Sequence, residues 1–356
     1  MIDYPAHLEM MWQKAIVPRE ANAPTVISTF AGGGGSSTGY LMAGFRELLA
    51  VEWDDNAVQT LRLNYPHLDI YHGDIAKLSV DEVLRRTGLQ PGELDVFDGS
   101  PPCQGFSTAG KRDFNDDRNQ LFREYVRLLR GLRPKVFVME NVSGMVKGKM
   151  KLIFAEILRE LKASGYQVSA RLLDAKFFHV PQSRQRMIFI GVRDDLGIEP
   201  SHPKAESMPA TFRSAVSGLP EDVQLPEIDH VWVDEIQRNT KWIHVAKNLK
   251  PGQKLVPHQA SGIRLFYDKP CPTIQKNAPP GVAPYVRNSM VHPTQARTLS
   301  IREMARCQSF PDSYHFVQAL NNGMHRIGNS VPPLFMEAIA RHIRMAILDR
   351  VLVTDG

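Results

Sequence analysis

Cys103 sits in the run Asp98-Gly99-Ser100-Pro101-Pro102-Cys103-Gln104-Gly105-Phe106-Ser107, directly after an apolar stretch at residues 94–97. That stretch reads as a strand, and the Pro-Pro pair makes a rigid loop at its carboxyl end. Ligands of an open α/β sheet bind just outside the carboxyl ends of its strands. A thiolate held there is a nucleophile, although a small buried thiol fits the local sequence equally well. A second apolar run, residues 135–139, ends in Glu140-Asn141-Val142 and puts a carboxyl group on the same rim. Such a group suits proton donation or hydrogen bonding to a substrate ring; taken alone, it is also an ordinary strand-end acid. In Val180-Pro181-Gln182-Ser183-Arg184-Gln185-Arg186 two arginines alternate, which on extended chain puts them on one face. A solvated basic loop is the other reading of that segment.

A second group of residues suits a nucleotide-like ligand. The first strand runs into Phe30-Ala31-Gly32-Gly33-Gly34-Gly35-Ser36-Ser37-Thr38-Gly39. Four glycines between an apolar strand and an apolar helix let a ligand approach the backbone, and the helix start accepts an anion. No register of the loop fits a strict G-x-G-x-x-G. Glu52 ends the next strand, twenty residues past Gly32, where an acid suits ribose hydroxyls. Trp53 follows it and offers a face to an adenine. The third strand ends in His72-Gly73-Asp74-Ile75, a further carboxylate at the same edge.

The elements that must position these residues alternate. Strands are expected at residues 25–30, 48–53, 69–71, 94–97, 135–139, 167–173 and 187–192. Helical stretches are expected at 38–45, 56–64, 119–131 and 149–164. Such alternation means βαβ units: a mainly parallel sheet with helices on both faces. Residues 1–23 read as an N-terminal arm, 24–193 as the catalytic α/β domain, and 194–295 as a smaller irregular domain. Residues 296–356 return to the first domain. The middle stretch is Pro-rich and interleaves Trp232, Trp242, Tyr267 and Tyr285 with Lys241, Lys247, Lys250, Lys254, Arg264, Lys276 and Arg287. That mixture is either a solvated basic surface or a nucleic-acid contact, with cations meeting phosphates and rings stacking on bases.

Composition excludes several classes. The chain has 356 residues, 43% of them hydrophobic, ample for a sizeable core. Its net charge of +5 is compatible with a polyanionic partner without establishing one. Three cysteines, Cys103, Cys271 and Cys307, are odd in number and far apart in sequence, which argues against a disulfide framework and for a reducing compartment. No Cys/His cluster has metal-ligand spacing, so no metal is expected. No stretch approaches a membrane span, and Met1-Ile2-Asp3-Tyr4-Pro5 does not begin a signal peptide. A cytoplasmic protein is expected.

Taken together and in order, these motifs resemble the cytosine-C5 DNA methyltransferases of bacterial type. Phe30-Ala31-Gly32-x-Gly34-Gly35 is similar to that family's cofactor loop, and Pro101-Pro102-Cys103-Gln104 to its nucleophile loop. Glu140-Asn141-Val142 and Gln182-x-Arg184-x-Arg186 are similar to its next two signatures. So are Arg297-x-Leu299-Ser300-x-Arg302-Glu303, Gln308-Ser309-Phe310-Pro311 and Gly328-Asn329-Ser330-Val331 later on. One position departs: the family usually carries an acid where Ser28 stands, two residues before Phe30. A tRNA-directed branch shares the catalytic residues, but its Cys-Phe-Thr signature is absent from the middle domain. A non-enzymatic DNA-binding homologue would not need Cys103, Glu140 and Arg184 together.

The resemblance implies a Rossmann-like, S-adenosylmethionine-dependent methyltransferase sheet with a smaller target-recognition domain. Catalysis would rest on Cys103 adding to cytosine C6, Glu140 at the N3 edge, Arg184 at O2, and Arg186 and Asn141 beside them. S-adenosylmethionine would be bound by Phe30, Ala31, Gly32, Gly34, Gly35, Glu52, Trp53, Asp74, Ile75, Pro101, Leu121, Asn329, Ser330 and Val331. Leu121 belongs to Arg118-Asn119-Gln120-Leu121-Phe122, similar to an element beside the methyl donor. Gln104, Ser107, Arg184 and Thr273 would face double-stranded DNA. A monomer is implied, with a cognate restriction endonuclease as a candidate partner. On this reading Cys103→Ser abolishes turnover and leaves cofactor affinity nearly unchanged, because a hydroxyl is far less acidic than a thiol; a labelled-methyl assay beside a cofactor titration checks both halves.

Overall fold

The computed structural model describes residues 3–102, 120–146, 150–219, 250–253, 263–275, 290–295, 299–317 and 320–354. Strands β1 (Thr25–Thr29), β2 (Arg46–Glu52), β3 (Ile70–His72), β4 (Val96–Gly99), β5 (Val136–Val142), β6 (Tyr166–Asp174), the short β7 (Gln182–Ser183) and β8 (Gln185–Arg193) follow one another along the chain. All but β7 join one seven-stranded sheet, ordered β3-β2-β1-β4-β5-β8-β6. The first five strands are parallel, and β8 runs antiparallel to both β5 and β6. β1 and β4 are buried along their whole length, as central strands of a sheet covered on both faces are, and they carry the buried polar residues Ser28 and Asp98 beside their apolar ones.

Helices cover both faces. On one face α4 (Val80–Thr87), α5 (Gln120–Leu132) and α6 (Met150–Lys162) bury Val83, Phe122, Tyr125, Leu129, Ile157 and Leu161 against Ile27, Phe97 and Phe137. On the other, α2 (Gly35–Met42) and α3 (Asp55–Asn64) bury Tyr40 and Leu61 against Val26, Val96 and Val138. From β1 the chain winds outward to β3, then crosses back to β4 and β5 on the other side. The strand order therefore reverses between β1 and β4, and a crevice opens there at the carboxyl ends, where doubly wound sheets bind ligands.

The N-terminal segment is not an arm. Residues Tyr4–Ile16 form helix α1, capped by the Asp3 carboxylate accepting from the Ala6 N–H, with Pro5 in its first turn. Tyr4, Leu8, Met11, Trp12 and Ala15 make one apolar stripe at helical spacing and enter the core. Trp12 meets the Tyr314 ring edge-on, centroids 5.4 Å apart. The later chain adds α7 (Phe212–Ala215), α8 (Ile301–Cys307), α9 (Leu320–Asn329) and α10 (Pro333–Ile343). The last of these lies on α2: a Cβ on Gly39 would stand 2.7 Å from the Pro333 carbonyl oxygen, so glycine is needed for the approach.

In the middle region the short strands β9 (Ile263–Arg264), β10 (Cys271–Pro272) and β11 (Met290–Val291) pair as β9 with β11 and as β10 with β7. Of the residues expected on a basic, aromatic surface, Arg264 is internal and Tyr267 half-buried. Arg264 is buried and donates to the carbonyls of His292, Pro293 and Gln295. Tyr267 packs against Phe212 and His292 under the Arg213 guanidinium. Trp232, Trp242, Tyr285, Lys241, Lys247, Lys254, Lys276 and Arg287 lie outside the described residues. Cys271 and Cys307, distant in sequence, are buried free thiols within hydrogen-bond reach of each other. Among the described residues no helix is long and apolar enough to cross a membrane. Because α1 is core, Trp12→Ala should cost about 3–5 kcal/mol of unfolding free energy, measured by urea denaturation; a loss below 1 kcal/mol would return the segment to the status of an arm.

Candidate active site

The glycine loop is gripped from behind. Phe30 takes a left-handed backbone, φ 56°, rare for a bulky residue and a way to turn β1 sharply into the loop. Gly34 is left-handed too, and a side chain there would collide with the Tyr314 hydroxyl. That hydroxyl donates to the Gly33 carbonyl at 2.8 Å. A Cβ on Gly35 would strike the Val331 carbonyl, and one on Gly33 would stand 3.0 Å from the Ser330 hydroxyl. Ser330 and Val331 are buried while Asn329 is exposed. The C-terminal segment thus forms the back wall of the loop.

The ligand-side residues line up at the strand ends. Glu52 is buried, and its carboxylate accepts from the N–H groups of Gly32 at 2.7 Å and of Trp53 and Asp54 at 2.9 Å each. It therefore pins the loop to β2 while keeping lone pairs to spare. Trp53 is 77% exposed, a large apolar face open at the mouth of the crevice. Asp74 caps a short turn through the Ala76 N–H, Ile75 beside it is buried, and Leu121 is half-buried on α5. Arg326 of α9 pairs with Asp54 at 3.0 Å, tying the same mouth to the C-terminal segment. A helix start, an acid at the end of β2, an exposed indole and a further acid at the end of β3 fit an adenosine carrying an anionic tail.

Across the crevice, Gly99 of β4 pairs with Met139 of β5, so Glu140 emerges beside the start of the Ser100-Pro101-Pro102 loop. Asn141 donates through Nδ2 to the Pro101 carbonyl at 3.2 Å and accepts from the Val142 N–H. It thereby ties the loop to the end of β5. Cys103, Gln104 and Ser107 on that loop lie outside the described residues, as do Arg118 and Asn119.

The two arginines divide their work. On the β5–β8 ladder Arg186 stands opposite Val142, diagonal to Glu140 on one face. Its Nε meets Glu140 Oε1 at 2.6 Å, with the side chains 13% and 12% exposed. Arg184 falls in the break between β7 and β8. It is 3% exposed and donates to the carbonyls of Ile274, at 2.9 Å, and Gly328, at 3.1 Å. Burial first, and the charge of Arg186 second, hold its guanidinium down to about 9, with Glu140 pulling the other way. A base-contacting role for Arg184 is therefore corrected: it is a buried strut, and the arginine at the crevice is Arg186.

Thr273 is reassigned for the same kind of reason. Its hydroxyl donates to the Ser183 carbonyl at 2.7 Å, joining β10 to β7 rather than facing outward. Next to it a buried amide relay crosses the molecule. The Ile274 N–H donates to Gln182 Oε1, Gln182 Nε2 to Gln308 Oε1, and Gln308 Nε2 to the Ser330 carbonyl. Gln308 belongs to a motif visible in the sequence, but its partners lie 126 and 22 residues away. Tyr314 and Trp12 carry no local signal of their support role. No cluster of metal-ligating side chains occurs among the described residues.

Residues 24–345 match the family model for C-5 cytosine-specific DNA methylase. The chain is 35% identical to the Type II methyltransferase M1.HphI of Haemophilus parahaemolyticus, over 90% of this chain and 86% of that protein. It is 32% identical to the Type II methyltransferase M.DdeI of Desulfomicrobium norvegicum, over 93% and 91%. Among solved structures, a DNA modification methyltransferase of an E. coli prophage superposes with a TM-score of 0.74 at 26% identity, covering 92% of this chain and all of that one. A DNMT2 from Spodoptera frugiperda shares the fold, TM-score 0.62 at 19% identity, over 93% of this chain.

The division between the arginines is measurable. Arg184→Met should orphan two buried carbonyls, at about 1–3 kcal/mol each, and lower the urea midpoint. Arg186→Met, whose partner Glu140 sits at the rim, should lower it less and remove methyl transfer. Equal stability losses in the two variants would erase the distinction.

Proposed function

This chain belongs to the C-5 cytosine-specific DNA methylase family and is a DNA cytosine-5-methyltransferase, and on that footing we propose how its residues carry out the transfer. The observation that carries the proposal is the Glu140–Arg186 pair at the crevice mouth, one strand from the Cys103 loop that Asn141 anchors through Pro101. A target cytosine buried in duplex cannot reach this crevice, so the base is rotated out of the stack at a cost of a few kcal/mol. Cys103, as thiolate, forms a bond to C6 and pushes the C5–C6 electron pair onto C5. Glu140 meets the N3 edge and Arg186 holds Glu140 and the O2 side, so charge developing on the ring is countered as it forms. When bound, S-adenosylmethionine would supply an electrophilic sulfonium methyl for C5, the S–CH3 bonding pair staying on sulfur as a neutral thioether. The C5 proton then leaves to solvent, the S–C6 bond breaks, and Cys103 departs as thiolate.

The cofactor is held by the loop from Phe30 to Gly35, by Glu52 at the ribose, by Trp53 and Asp74 at the adenine, and by the Ser330–Val331 wall. Residues 194–295 form the target-recognition region, with sequence readout in a major groove. Acting on chromosomal DNA, the protein works on the bacterial nucleoid in the cytoplasm as a monomer, within a restriction-modification pair whose endonuclease reads the same site.

Covalent trapping tests the mechanism. Fluorine at C5 cannot leave as a cation, so a duplex with 5-fluorocytosine at the target, plus S-adenosylmethionine, should freeze the enzyme on DNA through denaturing electrophoresis. Peptide mapping should place the adduct on Cys103. An adduct on Cys271 or Cys307 would move the nucleophile. No adduct, on DNA that is methylated when unfluorinated, would point to exocyclic amino methylation instead.

A further inference from the structure

Helix α2, which begins at the glycine loop, sits on the sheet through polar side chains. Ser36, Ser37, Thr38 and Tyr40 are all buried, where a helix facing a sheet ordinarily presents apolar groups. Two carboxyl groups lie beneath them, one on each strand flanking β1. Ser37 Oγ donates to Glu47 Oε1 of β2 at 2.8 Å. The Tyr40 hydroxyl donates to Asp98 Oδ1 of β4 at 3.2 Å, and the Ser36 hydroxyl bonds the same carboxyl group. Between them on β1, Ser28 stands in register with Asp98, and Val26 in register with Glu47. Ser28 is fully buried, so a residue there cannot touch a ligand in the crevice. Its hydroxyl faces Glu47, and Ser28 Oγ and Glu47 Oε2 are both shut off from solvent without a well-formed hydrogen bond.

We propose that Glu47 and Asp98 are positioning residues for S-adenosylmethionine: carboxyl groups that, through Ser37 and Tyr40, clamp the first turns of α2 to β2 and β4 and so set the loop and helix start that receive the cofactor's carboxylate. The pair takes over, from the two neighbouring strands, the acid that the resemblance led one to expect at position 28. The clamp rests on the cofactor reading given above. It needs protonated acids, because two carboxylates beneath the helix, Asp98 buried and Glu47 half-buried, would repel each other and lack counter-charges. Burial pushes Asp98 up to about 8 and Glu47 up to about 7. The other titratable groups facing them are acids and phenols: Tyr40 from α2, Tyr65 from α3, Tyr125 from α5, Glu140 from β5, and Tyr314. Burial raises all four tyrosines, so they stay neutral and cannot offset a carboxylate's charge.

The direction in pH follows. A carboxyl group favoured in its neutral form by the fold loses that advantage as pH rises from its ordinary range to its folded value. The clamp is intact near pH 6 and is lost between about 7 and 9, in steps that belong to the pair rather than to either residue. The cofactor's own α-amino group titrates nearby, at about 7.7–8.0, so the informative quantity is a ratio of affinities between proteins at each pH. Binding of S-adenosylhomocysteine to the full chain should be measured by calorimetry from pH 6 to 9.5, for wild type and for the Glu47→Gln, Asp98→Asn double variant. Relative to the variant, wild-type affinity should fall about tenfold between pH 7 and 9, while kcat at saturating cofactor keeps a common pH profile. A constant ratio overturns the inference.

If neither protein binds at any pH, the cofactor reading fails instead. Should the double variant not fold, Tyr40→Phe keeps both acids and removes a hydrogen bond that favours the carboxylate of Asp98, so the wild-type midpoint should move to higher pH. An unmoved midpoint also counts against the clamp.

Discussion

The constraint on which this structure most depends is that its interior seam is polar and draws its hydrogen-bond partners from distant parts of the chain. Residues 182–184, 271–275, 307–308 and 328–331 come from four distant stretches, and their buried members Gln182, Arg184, Ile274, Gln308 and Ser330 meet in the interior. Gln182 and Gln308 pass one hydrogen bond to the next, from the Ile274 N–H to the Ser330 carbonyl. Arg184 spans the Ile274 and Gly328 carbonyls. Each amide or guanidinium left without its partner would carry the cost of a buried unsatisfied group. Hydrophobic packing alone tolerates small slips; a relay of this kind accepts one register. It therefore fixes where residues 271–275 and the C-terminal segment stand relative to the sheet.

That fixed seam is what places both halves of the site. On one side Ser330 and Val331 press on Gly33 and Gly35, and Tyr314 holds the Gly33 carbonyl. On the other, Arg184 occupies the interior so that Arg186, two residues on, reaches Glu140 at the rim. One guanidinium is used up in structure and the next is free to serve chemistry. Their closeness matters as well, since the charge of Arg186 is one of the reasons Arg184 is held below its ordinary range.

The acids beneath α2, Asp98 buried and Glu47 half-buried, illustrate a different use of the interior. Glu47 and Asp98 sit among serines and tyrosines rather than cations. Burial favours the neutral acid in both, and the hydroxyls of Ser37 and Tyr40 donate to their carboxyl oxygens and so bridge the helix to the sheet. The Glu140–Arg186 pair, a few residues away on the same sheet, is instead a charged one at a partly open edge. One sheet thus holds carboxyl groups in two environments, set by depth and by the nearest cation.

By itself the sequence determined what is local and periodic. The alternation of strands and helices, the glycine loop at the end of β1, the Pro-Pro loop at the end of β4 and the acids at strand ends are short-range signals, and the ordered motifs pointed to one family. Tertiary structure decided what depends on partners far along the chain. Residues 3–16 look like an arm until Tyr314, some 300 residues later, supplies the surface for Trp12. Arg184 and Arg186 look alike until Ile274 and Gly328 claim the first. Thr273 and Arg264 look like contacts for DNA until Ser183 and the turn at 292–295 take their donors. Ser28 looks like a missing acid until β2 and β4 bring Glu47 and Asp98 to it. In each case the deciding quantity is desolvation: whether a polar group is buried, and which partner then satisfies it, is set by residues that local sequence does not contain.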